Sequence, residues 1–178
     1  MARVKIVLDA DVVIDFMDGK RLCDLPKILP AYDFVLLDIV MREELSKWPP
    51  TSKYITKSIE WVSNGPKLSI IEWHPDNQAK QIYAHLRQSK GIGESACMAY
   101  CQTNNDVLAS CNLRDTKKYC EENGITYLTF LDLVWYAWKN KVMSEEECNQ
   151  CIQYAIAAKN KIPNIRTISE YLPTISNL

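Results

Sequence analysis

What the sequence lacks narrows its reading before any motif does. Its 178 residues contain no long uninterrupted apolar run. The apolar stretch that follows Arg3 and Lys5 breaks at Asp9, too soon for a signal-peptide core or a membrane span. A cytosolic protein with no membrane partner is therefore expected. An excess of charge of either sign is also missing: the formal net charge is -1, so a nucleic acid would have to be held by a local basic patch and not by a general field. Glycine is scarce, and no G-x-G-x-x-G follows any apolar run, which argues against a glycine-rich dinucleotide site. There are only two histidines, His74 and His85, and each stands alone. Repeats and disorder-prone composition are absent, and a hydrophobic fraction of 47% suits one compact domain spanning 1–178.

The cysteines are seven: Cys23, Cys97, Cys101, Cys111, Cys120, Cys148 and Cys151. An odd count without a secretory signal predicts reduced, mostly buried thiols. Cys148 with Cys151 has metal-like spacing and Cys97 with Cys101 lies one helical turn apart. Both pairs fall inside predicted helices, with no second pair to complete a site.

Ile6 to Asp9 reads as a buried strand that delivers a carboxylate to its C-terminal end, followed by a helix from about Val12 for which Asp11 serves as cap. Further strands are expected at Phe34–Asp38, Leu68–Trp73, Asp106–Ser110 and Ile125–Leu128. Helices are expected at Leu25–Pro30, Ile39–Leu45, from Thr51 to the Asn64-Gly65-Pro66 break, Pro75–Ser89, Glu94–Thr103 and Leu113–Asn123. Thr129 with Asp132 and Ser144 with Glu147 form capping-box patterns for two more. The apolar Leu133 to Trp138 run covers a whole helical turn and reads as core. The tail from Ile162 carries a short amphipathic stretch, Ile168 to Leu172, able to dock on the body or on a partner. Strands alternating with helices predict an α/β fold, a three-layer α/β/α sandwich around a parallel sheet of about five strands.

In such a sheet the strands' C-terminal ends share one edge, where ligands bind. That edge receives Asp9 after the first strand and Glu44 in the helix after the second. Glu94 comes to it after Gly91-Ile92-Gly93, and Asn112 and Asp115 after the fourth strand. Acids converging there would repel one another and hold raised pKa values unless a cation sat among them. Oxygen donors without His or Cys favour Mg2+ or Mn2+ over zinc. Such an ion acidifies water and offsets charge on a phosphodiester under attack. Taken singly, the acids have plainer explanations: Glu43 and Glu44 as a solvated helix face, Glu94 and Asp115 as first-turn carboxylates favoured by the helix dipole. Asp9 resists this, because an acid ending a buried strand needs a partner.

Four stretches, Val7–Ile14, Val40–Leu45, Gly91–Ala96 and Val107–Asp115, occur in the order in which they resemble the PIN-domain family of metal-dependent ribonucleases. The resemblance covers about residues 1–140, with 141–178 as a C-terminal helical extension and tail. The segment Ala109–Asp115 and the C-terminal helices are more similar to a bacterial PIN-like subgroup than to the compact toxins of toxin–antitoxin pairs. The resemblance implies an α/β/α sandwich that holds one or two Mg2+ or Mn2+ ions and cleaves RNA by attack of water on phosphate. Asp9, Glu44 and Glu94 take the places of the first three acids. Asn112 stands where many members have Asp, and Asp115, one turn on, is the carboxylate able to replace it. A homodimer and an antitoxin-like protein partner are also implied.

Ser110, Arg42, Arg114, Lys117 and Lys118 are candidate substrate contacts, the last three flanking Asp115 where one helix could meet phosphates. The same charges also fit a solvated face. Two rival readings use the same residues. With Asn112 in the fourth place, the domain could bind RNA or a protein without cutting. The Asp9-Ala10-Asp11 pattern also resembles the start of haloacid dehalogenase-type phosphatases, with Asp9 as nucleophile, Asp11 as acid/base, Ser110 and Lys117 or Lys118 on the phosphate. That family needs an acidic pair after a later strand, and beyond Thr129 only Asp132 is offered.

Overall fold

A computed structural model describes residues 3–47, 57, 59, 68–112 and 115–178. Its centre is β1 (Lys5–Leu8), whose sequence Lys-Ile-Val-Leu is buried on both faces after its first residue, as expected of an interior parallel strand. β1 pairs in parallel with β2 (Asp33–Leu37) on one side and β4 (Val107–Ala109) on the other. β3 (Leu68–Ile71) extends the sheet beyond β2, and β5 (Tyr127–Leu128) extends it beyond β4. The order is thus β3-β2-β1-β4-β5, all parallel.

Helices cover the sheet in two groups, giving the three-layer α/β/α sandwich. α1 (Ala10–Asp18) packs against α6 (Phe130–Lys139) and α7 (Glu145–Ala157). Phe16 of α1 and Phe130 of α6 meet edge to face, with ring centroids 5.0 Å apart. The second group is α2 (Asp38–Glu43), α3 (Asn77–Leu86) and α4 (Ile92–Asn104), with α4 against both others. α5 (Asp115–Glu122) joins β4 to β5. The helix expected from Thr51 lies outside the described residues except for Lys57 and Ile59, both helical.

The ends of these helices follow from local chemistry. Thr129 and Ser144 both form complete capping boxes, with Asp132 and Glu147 reaching back to the cap N–H. Gly124, beyond α5, adopts φ +66°, a left-handed conformation that glycine takes without steric cost. α1 departs from expectation. It starts at Ala10, because β1 stops at Leu8, so Asp9 and not Asp11 occupies the cap position, with extended backbone.

The C-terminal extension is part of the body. Cys148, Cys151, Ile152 and Ala155 of α7 and Ile168 of the tail belong to the same core as the strands. The tail docks there: the Tyr171 hydroxyl and the Thr174 N–H donate to Asp132, and the Tyr136 hydroxyl donates to the Ile175 carbonyl. Leu133, Val134, Tyr136 and Ala137 are core residues. Trp135 and Trp138 lie partly buried beneath the Lys139 ammonium. All seven cysteines are free thiols, five of them buried; Cys23 is exposed and Cys111 half-buried.

Candidate functional site

The sheet order puts a topological switch between β1 and β4. The chain runs outward from β1 through β2 to β3, then returns to the other side of β1 for β4 and β5. At such a point the loops leaving two adjacent strands turn to opposite faces and open a crevice at the strands' C-terminal ends. Asp9 follows one of these strands and Ser110 the other.

The Asp9 N–H donates to the Ala109 carbonyl at 2.9 Å, continuing the β1–β4 pairing by one residue. Its carboxylate accepts from the Ala10 N–H at 2.8 Å and from the Ser110 hydroxyl at 3.1 Å. Asp9 is 5% exposed. Burial first, and then the charges of Asp11, Glu44 and Glu94, push its carboxyl well above the usual carboxylate range. Asp11, beside it, accepts from its neighbour Val12 N–H at 2.7 Å and from the Cys111 N–H at 2.9 Å, which ties α1 to the loop after β4. Burial raises its pKa to about 6, with Glu94 and Glu44 adding to the rise and the two N–H donors opposing it.

Glu44 ends α2 and reaches across to the start of α4, where its Oε1 accepts from the Gly93 N–H at 2.7 Å. The contact requires a glycine: a Cβ at 93 would lie 2.6 Å from the Glu44 carboxyl carbon. Glu94, in the first turn of α4, presents its Oε1 to the Asn112 amide at 3.0 Å and the Thr116 hydroxyl at 2.5 Å, with the Lys90 ammonium 3.8 Å away. Ser110 closes the ring. Fully buried, it donates to Asp9 and accepts from the Asn112 N–H at 3.3 Å. A chain of hydrogen bonds therefore runs from Asp9 through Ser110 and Asn112 to Glu94.

Asp9, Glu44, Glu94 and Asn112 are thus brought together, and Asp11, expected as the helix cap, joins them. Ser110 bridges two site residues from a buried position; it is not at the surface. Asp115 opens α5, and its side chain and all of Arg114 lie outside the described residues. Lys117 and Lys118 are exposed on α5, with Glu121 and Glu122 at 3.9 and 3.8 Å. Arg42 points to Asp38 at 2.9 Å and Glu43 at 3.6 Å, and the bonds given for it do not reach the acids of the crevice. Two residues were missed by sequence reasoning. Thr116 offers no signal beyond its place in a helix's first turn. Lys90 offered one, its i,i+4 spacing from Glu94.

As donors, these groups suit a hard divalent ion. They are carboxylate oxygens, those of Asp9 buried and the others half-buried, with one ammonium, that of Lys90, against them. As placed, their oxygens turn toward N–H and O–H donors of the protein. Among the described residues no three His, Cys, Asp or Glu side chains are grouped to hold an ion. No described helix is long and apolar enough to cross a membrane. Compared with models of protein families, with curated proteins and with solved structures, the chain matches none of them.

Proposed function

We propose that the chain is a metal-dependent phosphodiesterase and, more narrowly, a PIN-like Mg2+/Mn2+-dependent ribonuclease. The observation that carries this reading is the meeting of Asp9, Asp11, Glu44 and Glu94 at the switch point of a parallel sheet, where the charges of Glu44 and Glu94 bear on Asp9 and Asp11. Structural carboxylates are held against cations or many donors, whereas Asp9 and Asp11 have two neutral donors each and lie among the charges of Glu44 and Glu94. Asp9, Glu44 and Glu94 would hold the ion, with Asp115 the candidate fourth acid. Bound there, the ion supplies an acidified water and positive charge for the phosphodiester under attack.

The chain's own residues set the stage for that chemistry. Ser110 fixes the rotamer of Asp9 from below, the Gly93 N–H fixes Glu44, and Asn112 with Thr116 fixes Glu94. A site held in this way has little to reorganise when the reaction occurs. Lys117 and Lys118, exposed on the helix that begins just past Asn112, would be the contacts for phosphates of the substrate. Contacts of that kind weaken steeply with salt.

A binding module that does not cut is the second reading, favoured by the neutral Asn112 donating to Glu94 where a fourth carboxylate would sit. The phosphatase reading is weakened by Asp132, whose carboxylate is fully buried and taken up by Thr129, Tyr171 and Thr174. The test is incubation of the full chain with single-stranded RNA and Mn2+, beside Asp9→Asn. Cleavage by the wild type and none by Asp9→Asn is expected, and equal cleavage by both overturns the proposal. Mn2+ binding that Asp9→Asn abolishes, without cleavage, selects the binding module.

A further inference from the structure

A cavity of about 220 Å3 opens at the C-terminal ends of β4 and β5, and none of the four acids lines it. Its inner wall is the loop after β4 and the start of α6, and its outer wall is the tail. The outer wall is fixed in place. Ile168 is fully buried, with its N–H donating to Asn149 of α7 at 2.8 Å, and Tyr171 and Thr174 are held to Asp132. The sheet edge at which open α/β folds bind ligands therefore carries a second recess, formed before any ligand arrives.

Phe130, Leu131, Ile162 and Pro163 give the cavity apolar sides. An apolar cavity of about 150 Å3 takes up one benzene ring, so this one has room for a substituted ring or two fused rings. The polar side chains of the wall are nearly all committed within the protein. The hydroxyls of Thr129, Tyr171 and Thr174 each donate to Asp132, and the Cys111 thiol donates to Asp15 at 3.1 Å. Asp132 itself does not line the cavity. Among the described residues, the exposed Lys161 ammonium is the one side-chain donor of the wall that no hydrogen bond or ion pair engages. A ligand's polar group must therefore accept, and an anion accepts best from an ammonium.

We infer that this cavity binds a small monocarboxylic acid with a flat apolar body of one or two rings, the rings against Phe130, Leu131 and Ile162 and the carboxylate on Lys161. A single ammonium matches a single negative charge. A phosphate monoester, with more charge and more acceptor oxygens than one lysine can meet, is the poorer fit. The site is separate from the crevice and needs no ion there, for the two share only the loop after β4, in which the Cys111 N–H donates to Asp11.

Titration of the full chain with 2-naphthoate, read by calorimetry and by the ligand's proton NMR signals with EDTA present, tests this. Its uncharged counterpart is 2-acetonaphthone, which has the same rings and a methyl ketone in place of the carboxylate. One molecule of 2-naphthoate per chain is expected, bound more tightly than the ketone. Lys161→Met keeps the apolar stem and loses the charge, and should weaken 2-naphthoate by about two- to fivefold, the scale of one exposed ion pair. Ile162→Trp, shown by circular dichroism to be folded, should fill the cavity and abolish binding. No binding of 2-naphthoate at millimolar concentration overturns the inference. So does binding that survives Ile162→Trp, which puts the ligand elsewhere, or an affinity for 2-naphthoate that Lys161→Met leaves unchanged, which removes the charge from recognition.

Discussion

Two buried carboxylates follow strands of the same sheet and have opposite surroundings. Asp132 lies in the first turn after β5, fully buried, and accepts from the Thr129 N–H and hydroxyl, the Tyr171 hydroxyl, and the Thr174 N–H and hydroxyl. Asp9 lies at the end of β1, almost as buried, and accepts from one N–H and one hydroxyl while Asp11, Glu44 and Glu94 crowd it. A charge taken out of water must be compensated in kind. Donors from the tail supply that compensation at Asp132, which makes it a latch between α6 and the C-terminus. Asp9 is left short of it, as a residue that works on something outside the chain would be. Burial alone does not separate structure from function here; the neighbours do.

The largest effect should come from breaking the satisfied site. Asp132→Ala strands neutral donors from both the α6 cap and the tail, and is expected to cost several kcal/mol, at about 1–3 kcal/mol for each buried donor left unsatisfied. Urea unfolding would read the loss, and limited proteolysis would find the chain beyond Thr167 newly cleavable. Stability unchanged by more than about 0.5 kcal/mol, the ordinary surface-mutation range, would mean that the tail is not latched there.

The unsatisfied site should show itself through pH. Asp11 is raised to about 6, and Asp15, buried one turn further along α1 with the Cys111 thiol 3.1 Å from its carboxylate, to about 7. Burial is the first cause for both. In the unfolded chain such groups lose their protons near pH 4. The folded chain therefore holds more protons between about 4 and 7, and its stability falls as pH rises through that window, levelling off above it. A decline of about 2–4 kcal/mol between pH 5 and pH 8 is expected from urea melts, at 1.4 kcal/mol per pKa unit. Asp15→Asn should flatten part of the slope. A rise in stability over the same range would contradict the environment described for these acids.

How far these surroundings were legible in the sequence depends on the distance of the partners. The strands, the two capping boxes, the buried thiols of α4 and α7 and the convergence of Asp9, Glu44 and Glu94 could all be read from apolar runs, local spacing and the resemblance. Asp132 was recognised as a cap, but its saturation comes from residues 39 and 42 positions away, and no local pattern carries that. Asp9 took the cap position expected of Asp11 because β1 ends one residue before it, which leaves Asp11 to accept from the Cys111 N–H in the loop after β4. The sheet order was invisible for the same reason: strand neighbours are set by packing across the whole chain. Lys90 was passed over because a lysine beside glycines usually marks an exposed turn.

The smallest expected change in stability should sharpen the contrast most. Gly93→Ala adds one methyl whose carbon would lie 2.6 Å from the Glu44 carboxyl carbon. The carboxyl is the far end of a flexible side chain and can swing aside, so the fold should lose no more than about 1–2 kcal/mol, mostly the Glu44 hydrogen bond to the Gly93 N–H. The glycine's conformation does not add to that cost, since 93 lies inside α4, where alanine is the better helix former. A displaced Glu44 cannot, however, share an ion with Asp9. Mn2+ affinity is expected to drop by about tenfold or more, the scale on which a disturbed supporting contact affects a metal site, while thermal unfolding without metal moves by only a few degrees. An equal loss in both measurements would make Glu44 a packing residue like Asp132. Loss in the titration alone keeps it with Asp9, on the side of the comparison proposed to hold an ion.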